Sequence, residues 1–127
     1  MTRIAVVNDD TVFLDMMAAV LTEEGWDVEV HRESATAFQG LKQNPPDLII
    51  LDIRMETPES GWNILELLTL DQEMGHIPVI VCSAAVRDLH AHEDWLTQNG
   101  IGVLPKPFNL DQLFQQVETA LSLRGDR

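Results

Sequence analysis

The chain has 127 residues, of which 45% are hydrophobic and 23% charged. A chain of this length is expected to form one domain and to bury roughly two-thirds of the surface of its unfolded form. Its 21 acidic and 8 basic residues give a formal net charge of -13. Because such a surface repels the phosphates of nucleic acids and of anionic lipids, we expect this domain to bind neither nucleic acid nor membranes directly. Basic protein surfaces or a divalent cation are its expected counterparts.

Cysteine use and hydropathy indicate where the protein works. Cys82 is the single cysteine, so no internal disulfide can form. The sequence shows no signal peptide and no apolar run long enough to span a membrane. These features predict a cytoplasmic protein.

The first part of the chain alternates a predicted helix with predicted strands. Residues 4–7 form a short apolar run, which indicates a buried strand, and residues 8–10 give that strand an acidic end. Thr11 can cap the helix that follows, and Gly25 ends it. Residues 27–31 alternate polar and apolar side chains, as an edge strand exposed on one face does.

The next strand is the most apolar stretch of the chain. After a second helix that begins at Ser34, four bulky apolar residues follow one another at Leu48–Leu51. A half-exposed strand would alternate, so this run predicts a strand buried on both faces, in the middle of a parallel sheet. The run ends on Asp52, at the edge where open α/β sheets bind their ligands. We therefore interpret Asp52 as a functional carboxylate rather than as a helix cap.

The second half of the chain continues the alternation. A third helix is predicted from about Gly61, and residues 78–83 form the next buried strand, which ends on a small polar residue. A single fourth helix is predicted over residues 86–98, with an apolar stripe so narrow that packing would hold it weakly. Gly102–Pro105 is a short strand whose proline indicates an edge position, and a strongly amphipathic last helix follows over residues 110–121.

Five successive strand–helix units predict an α/β fold over residues 1–127, with a parallel sheet covered by helices on both faces. Two edge-like strands flanking three buried ones fit the strand order 2-1-3-4-5, the flavodoxin-like, doubly wound three-layer arrangement. In this order the switch point lies between strands one and three. These strands end at Asp9 and Asp52, so the topology is expected to bring the two carboxylates together.

Four strand ends therefore converge on one edge of the sheet, and they bring Ser83 and Lys106 to the same place as the two carboxylates. Two close carboxylates repel each other unless a cation neutralises them. Mg²⁺ suits such a site because it takes carboxylate oxygens and keeps several waters. A lysine and a hydroxyl beside them would stabilise a phosphoryl group in transfer, and an aspartate can accept that group.

With these residues assembled, the chain resembles a response-regulator receiver domain, the phosphoacceptor module of two-component signalling, of the single-domain chemotaxis-regulator type. The resemblance extends from residue 4 to about residue 123. It is carried by Val7-Asn8-Asp9-Asp10, Leu51-Asp52-Ile53-Arg54-Met55, Cys82-Ser83-Ala84 and Lys106-Pro107-Phe108.

The resemblance implies a role for each site residue. Asp52 would accept a phosphoryl group from a histidine kinase or a phosphotransfer protein. Asp9, Asp52 and the backbone carbonyl of Arg54 would hold Mg²⁺. Ser83 would contact the phosphoryl group, and Lys106 would pair with its charge.

Three departures from the family pattern carry expectations of their own. Asn8 stands where a carboxylate is usual, which predicts weaker Mg²⁺ binding; Asp10 is a further candidate ligand, although its place at a helix start favours capping. The loop at residues 55–61 resembles a one-residue insertion. Val103 stands where the family often has a switching aromatic residue, so we expect a graded shift of helix four, strand five and helix five. The resemblance also implies a cis bond between Lys106 and Pro107.

Other functions stay open. A receiver of this kind acts on an unidentified output partner or belongs to a longer protein with an output domain, and Asn8 also allows a degenerate receiver that only docks. An aspartyl-phosphate phosphatase would have an acid where Arg54 stands. A flavin-binding module would have a Ser/Thr phosphate loop where residues 8–10 are acidic. We expect no enzyme activity beyond self-phosphorylation from phosphodonors and autodephosphorylation.

Overall fold

The protein is described by a computed structural model that covers residues 2–53, 59–84 and 86–125. Five strands form one parallel sheet: β1 (Arg3–Val7), β2 (Asp27–His31), β3 (Leu48–Leu51), β4 (Val79–Ser83) and β5 (Gly102–Pro105). Their order is β2-β1-β3-β4-β5, with β3 in the centre and with β2 and β5 at the edges, as the sequence predicts.

Helices connect the strands and cover the sheet. They are α1 (Thr11–Glu23), α2 (Ser34–Gln43), α3 (Ser60–Leu70), α4 (Val86–Ala91), α5 (Glu93–Gln98) and α6 (Leu110–Gly125). Within the described residues, no helix is both long and apolar enough to cross a membrane.

Two hydrophobic cores lie on opposite faces of the sheet because successive strand residues point to opposite sides. Ala5 and Val7 join the core beneath α2 to α5, whereas Ile4 and Val6 join the core beneath α1 and α6. Every residue of Leu48–Leu51 is at most 1% exposed. Burial of a leucine or isoleucine side chain contributes about 1.5–3 kcal/mol, so the central strand anchors both layers.

The fourth helix differs from the prediction, because the single helix expected over residues 86–98 is interrupted at His92. The backbone of His92 leaves the helical region (φ -109°, ψ 14°). Its Nδ1 atom lies 2.9 Å from the carbonyl oxygen of Asp88, and its ring stacks on Trp62 of α3. Two short helices therefore replace the single predicted one.

Two residues, Thr11 and Asp10, are predicted as possible caps at the start of α1. Asp10, not Thr11, is the N-cap residue, and its carboxylate accepts hydrogen bonds from the backbone N–H groups of Val12 and Phe13. The helix ends at Gly25 as expected, where a φ of 96° favours glycine.

Candidate functional site

The carboxyl ends of β1, β3 and β4, together with the residue after β5, form the candidate site. The register pairs Val7 with Leu51, and the backbone N–H of Asp52 donates to the carbonyl of Val7 at 3.0 Å. The backbone N–H of Lys106 donates to the carbonyl of Ser83 at 2.9 Å. These main-chain bonds fix the four strand ends side by side, as the topology predicts.

Asp52 is the central side chain of this site. The residue is 8% exposed, and its Oδ2 atom accepts hydrogen bonds from Asn8 Nδ2 at 3.0 Å and from Lys106 Nζ at 3.3 Å. A buried carboxylate is costly unless it is hydrogen-bonded and paired with a positive charge. The amide and the ammonium meet this requirement and stabilise the ionised carboxylate.

The side chain of Lys106 is held in place by aromatic neighbours. Its Nζ atom lies 4.2 Å from the ring centroid of Phe13, within the range of a cation–π contact. Phe13 in turn packs edge-on against Phe108, with ring centroids 6.4 Å apart. The bond between Lys106 and Pro107 is cis, as the resemblance implies. These neighbours aim the ammonium at Asp52.

At the end of β1, the side chain of Asn8 contacts Asp52 directly, a hydrogen bond that the sequence pattern did not predict. Asn8 is buried, and its Oδ1 atom accepts a hydrogen bond from the backbone N–H of Asp10 at 2.8 Å. The Asp10 carboxylate caps α1, whereas Asp9 is exposed. Of the three polar residues at this strand end, one orients Asp52, one caps a helix and one faces solvent.

The oxygen atoms at this edge of the sheet are the potential ligands of Mg²⁺. Among the residues that the structure describes, no three histidine, cysteine or acidic side chains are grouped closely enough to form a metal site. Arg54, whose carbonyl is a predicted ligand, lies outside the described residues. Because the Asp10 carboxylate caps α1, Asp9 and Asp52 are the two described carboxylates left as candidate ligands. Two oxygen donors suit Mg²⁺, because this ion is commonly held by one or two carboxylates and keeps several waters.

Ser83 and Cys82 end β4 and point to opposite sides of the sheet. Ser83 is buried at the carboxyl end of the strand, next to the site. Cys82 lies in the core beneath α1 and α6. Burial, opposed by the Lys106 charge and reinforced by that of Asp52, raises the pKa of the Cys82 thiol to about 12. Cys82 is therefore a core thiol and not a nucleophile at neutral pH.

Gly61 supports the site although sequence reasoning gave it no role there. Its backbone N–H donates to the carbonyl of Ile53 at 2.9 Å. A Cβ atom at this position would collide with the carbonyl oxygens of Asp52 and Ile53. A glycine directly after the loop that follows a functional carboxylate is the signal that could have identified this close approach.

Trp62 connects the start of α3 to the interruption between α4 and α5. Its ring lies 4.1 Å from that of His92, with an interplanar angle of 31°. The spacing of His90 and His92 predicts a solvated surface, and the side chain of His90 is indeed 84% exposed. The stacking of His92 was not predicted, because a contact between two helices leaves no local pattern in either one.

A model of the response regulator receiver domain family matches residues 4–118. The chain belongs to this family. The receiver domain is 28% identical over 124 residues to the probable transcriptional regulatory protein TcrX of Mycobacterium tuberculosis, covering 96% of this chain and 50% of TcrX. It is 32% identical over 125 residues to the transcriptional regulatory protein PrrA of the same species, covering 97% of this chain and 51% of PrrA.

A plant protein is similar as well. The putative two-component response regulator ARR21 of Arabidopsis thaliana is 34% identical over 123 residues, covering 94% of this chain and 19% of ARR21. The receiver domain thus spans about half or less of the length of these curated relatives.

The solved structures share the fold at low sequence identity. A receiver domain protein from Clostridium thermocellum superimposes with a TM-score of 0.85 at 20% identity, covering 98% of both chains. The chemotaxis protein CheY4 of Vibrio cholerae gives 0.83 at 20% identity, covering 95% of this chain and 99% of CheY4. The predicted parallel fold and the predicted family are therefore both confirmed.

Proposed function

We propose that the receiver domain accepts a phosphoryl group on Asp52, supplied by the phosphohistidine of a histidine kinase or a phosphotransfer protein. One observation carries this proposal: the buried carboxylate at the end of the central strand has the Lys106 ammonium 3.3 Å from its Oδ2 atom. Ser83 supports it, because this residue ends the adjacent strand at the same edge of the sheet.

The proposed reaction is a transfer between two side chains. A carboxylate oxygen of Asp52 attacks phosphorus, and a P–O bond forms while the P–N bond to the donor imidazole breaks. The electron pair of the broken bond stays on the imidazole nitrogen, which takes up a proton from solvent. Lys106 already faces the carboxylate and would pair with the negative phosphoryl oxygens, and the Ser83 hydroxyl would donate a hydrogen bond to them.

The proposed cofactor is Mg²⁺. Asp9 and Asp52 would hold the ion, with the backbone carbonyl of Arg54 as a third donor. When bound, Mg²⁺ supplies positive charge where two carboxylates and a phosphoryl group come together. Asn8 contributes no charge to this set, so we propose that the affinity for Mg²⁺ is lower than a carboxylate at position 8 would give.

We further propose that the signal leaves through α4, α5, β5 and α6. The His92 interruption makes α4 and α5 two short helices of six residues each. Val103 is half-buried and too small to fill the place of a switching aromatic ring. A graded population shift is therefore the proposed output, and a coupling of about 1–3 kcal/mol between the site and this surface would be sufficient.

The proposed partners follow from the net charge of the protein and from its membership of the receiver domain family. A phosphodonor protein acts upstream, and a separate output partner or an output domain of a longer protein acts downstream. The net charge of -13 supports binding to basic protein surfaces rather than direct binding to nucleic acid or membranes. We propose that the protein acts in the cytoplasm, with no enzyme activity beyond its own phosphorylation and dephosphorylation.

A labelling experiment tests the proposal. The protein is incubated with acetyl phosphate and Mg²⁺, and the modified residue is located by mass spectrometry. Wild type should gain one phosphoryl group on Asp52, and Asp52→Asn should gain none. Asp15→Asn, on the exposed side of α1, is the matched control and should be labelled like wild type. Full labelling of Asp52→Asn would refute the assignment.

A receiver that only docks is the second candidate, and one observation favours it. The amide of Asn8 occupies a position beside Asp52 where a cation-binding carboxylate would otherwise lie. A docking module predicts no label on wild type with any phosphodonor at millimolar Mg²⁺. The labelling experiment therefore separates the two functions.

A further inference from the structure

Asn8 is a buried polar side chain that directly joins Asp52 to the start of α1. It is 1% exposed, and both of its amide atoms are used. Nδ2 donates to Asp52 Oδ2 at 3.0 Å, and Oδ1 accepts from the backbone N–H of Asp10 at 2.8 Å. The opposite amide orientation would set an oxygen against the carboxylate and an NH₂ group against an N–H, so chemistry fixes the orientation.

Asn8 and Lys106 stabilise the negative charge of the Asp52 carboxylate without a divalent cation. The amide donates a hydrogen bond without adding charge, and Lys106 supplies one positive charge. An isosteric aspartate at position 8 would instead put a carboxylate oxygen where Nδ2 lies, 3.0 Å from Oδ2. Two like charges at that distance in a buried site repel strongly unless a cation lies between them.

We propose that Asn8 is a positioning residue that holds the Asp52 carboxylate in the metal-free domain and so makes the resting site independent of a divalent cation. The inference deepens the proposed function and rests on Asp52 being the phosphoacceptor. It implies that a divalent cation adds little to the stability of the resting domain. It also implies that the amide and the cation are alternative partners for the same carboxylate.

The first test compares thermal unfolding in EDTA and in Mg²⁺. Asn8→Asp should lower the Tm in EDTA by at least about 5 °C, since it replaces a hydrogen bond to a charged group by like-charge repulsion. Mg²⁺ should restore most of that loss, whereas it should leave the Tm of wild type nearly unchanged. Asn99→Asp adds the same charge to an exposed residue at the end of α5, and its Tm should show no dependence on Mg²⁺ beyond that of wild type.

The second test exchanges the two side chains, and it still decides the matter if Asn8→Asp alone fails to fold. In the double variant with Asn8→Asp and Asp52→Asn, the amide at 52 can donate to the carboxylate at 8. The proposal predicts that this variant is folded in EDTA even if Asn8→Asp is not, and that its Tm lies several degrees above that of Asn8→Asp if both fold. A double variant that is unfolded in EDTA, or no more stable than Asn8→Asp, would overturn the inference, since it would show that the exchange restores no coupling between the pair.

The third test distinguishes a positioning residue from a metal ligand. Mg²⁺ is titrated into wild type, Asn8→Ala and Asn8→Asp, followed by calorimetry. Asn8→Ala should bind Mg²⁺ as tightly as wild type or more tightly, because the competing donor is gone. Asn8→Asp should bind about tenfold or more tightly. Weaker binding by Asn8→Ala would show that the Asn8 oxygen is itself a ligand and would overturn the proposal.

Failure of this inference is distinguishable from failure of the proposed function. Labelling of wild type on Asp52 tests only the phosphoacceptor role. The unfolding experiments in EDTA test only the link between Asn8 and Asp52. A labelled wild type together with an Asn8→Asp variant that is stable in EDTA would keep the proposed function and reject the role of Asn8.

Discussion

Replacement of Gly61 by alanine tests whether the position of the phosphoacceptor strand end depends on the close approach of α3. Gly61 lies in the first turn of α3, next to the backbone of Asp52 and Ile53. An added Cβ atom would collide with two backbone carbonyl oxygens, which cannot rotate away as a side chain can. Relief requires a shift of α3 or of the Asp52 main chain.

Two effects of opposite sign determine the magnitude. Alanine is favoured over glycine inside a helix by about 1 kcal/mol. Extra volume in a closely packed region costs about 1–3 kcal/mol, and more where main-chain atoms must move. Because the obstacle is two carbonyl groups, we expect the second effect to be larger. The net loss should be about 1–2 kcal/mol, which corresponds to a Tm lower by about 3–10 °C.

Urea unfolding followed by tryptophan fluorescence measures the stability, and labelling by acetyl phosphate measures the effect on Asp52. Gly61→Ala should lower the midpoint of unfolding and slow the labelling. Gly40→Ala is the matched control inside α2, where a Cβ atom would lie 2.8 Å from Cε1 of the His31 ring, a side chain that can move. It should destabilise the protein less than Gly61→Ala does, because a side chain and not main-chain atoms must shift. If Gly61→Ala matches wild type in both stability and labelling, the reasoning from close packing is wrong.

Three further predictions concern the site, the output surface and acid stability. Lys106→Met should slow the labelling of Asp52 at least tenfold, because no ammonium would pair with the phosphoryl oxygens; an unchanged rate in a rapid-quench assay would exclude that role. Beryllofluoride, a mimic of the phosphoryl group on Asp52, should in the presence of Mg²⁺ change the amide exchange protection of residues 86–98. A change confined to residues near Asp52 would contradict the proposed output route. The hydrogen bond from Lys42 is the largest factor that lowers the pKa of Asp71 in the folded protein below its usual value of 3.8. The ionised Asp71 therefore stabilises the fold fully above about pH 4, and this stabilisation is lost as the pH falls through the pKa that Asp71 has in the folded state. Asp71→Asn should therefore destabilise the protein at pH 6 but much less at pH 2, and an equal loss at both values would contradict the assignment.

The sequence by itself determined the strands, their order and the edge on which the site lies. Four consecutive apolar residues at Leu48–Leu51 fit only a strand buried on both faces, and the proline of β5 fits only an edge. These conclusions depend on the pattern of side chains within one element, and the local sequence contains that pattern. The same logic identified Asp52 and placed Lys106 at the same edge of the sheet.

Only the tertiary structure decided which side chains contact each other at that edge and within the helical layer. The neutral Asn8 contacts Asp52 across 44 positions of the chain, whereas the acidic Asp9 is exposed to solvent. The interruption at His92, whose ring stacks on Trp62, divides a helix whose own sequence predicts continuity. These outcomes depend on the distance and direction between side chains on different elements. Local periodicity carries no information on either quantity, so they are fixed only when the sheet and its helices have packed.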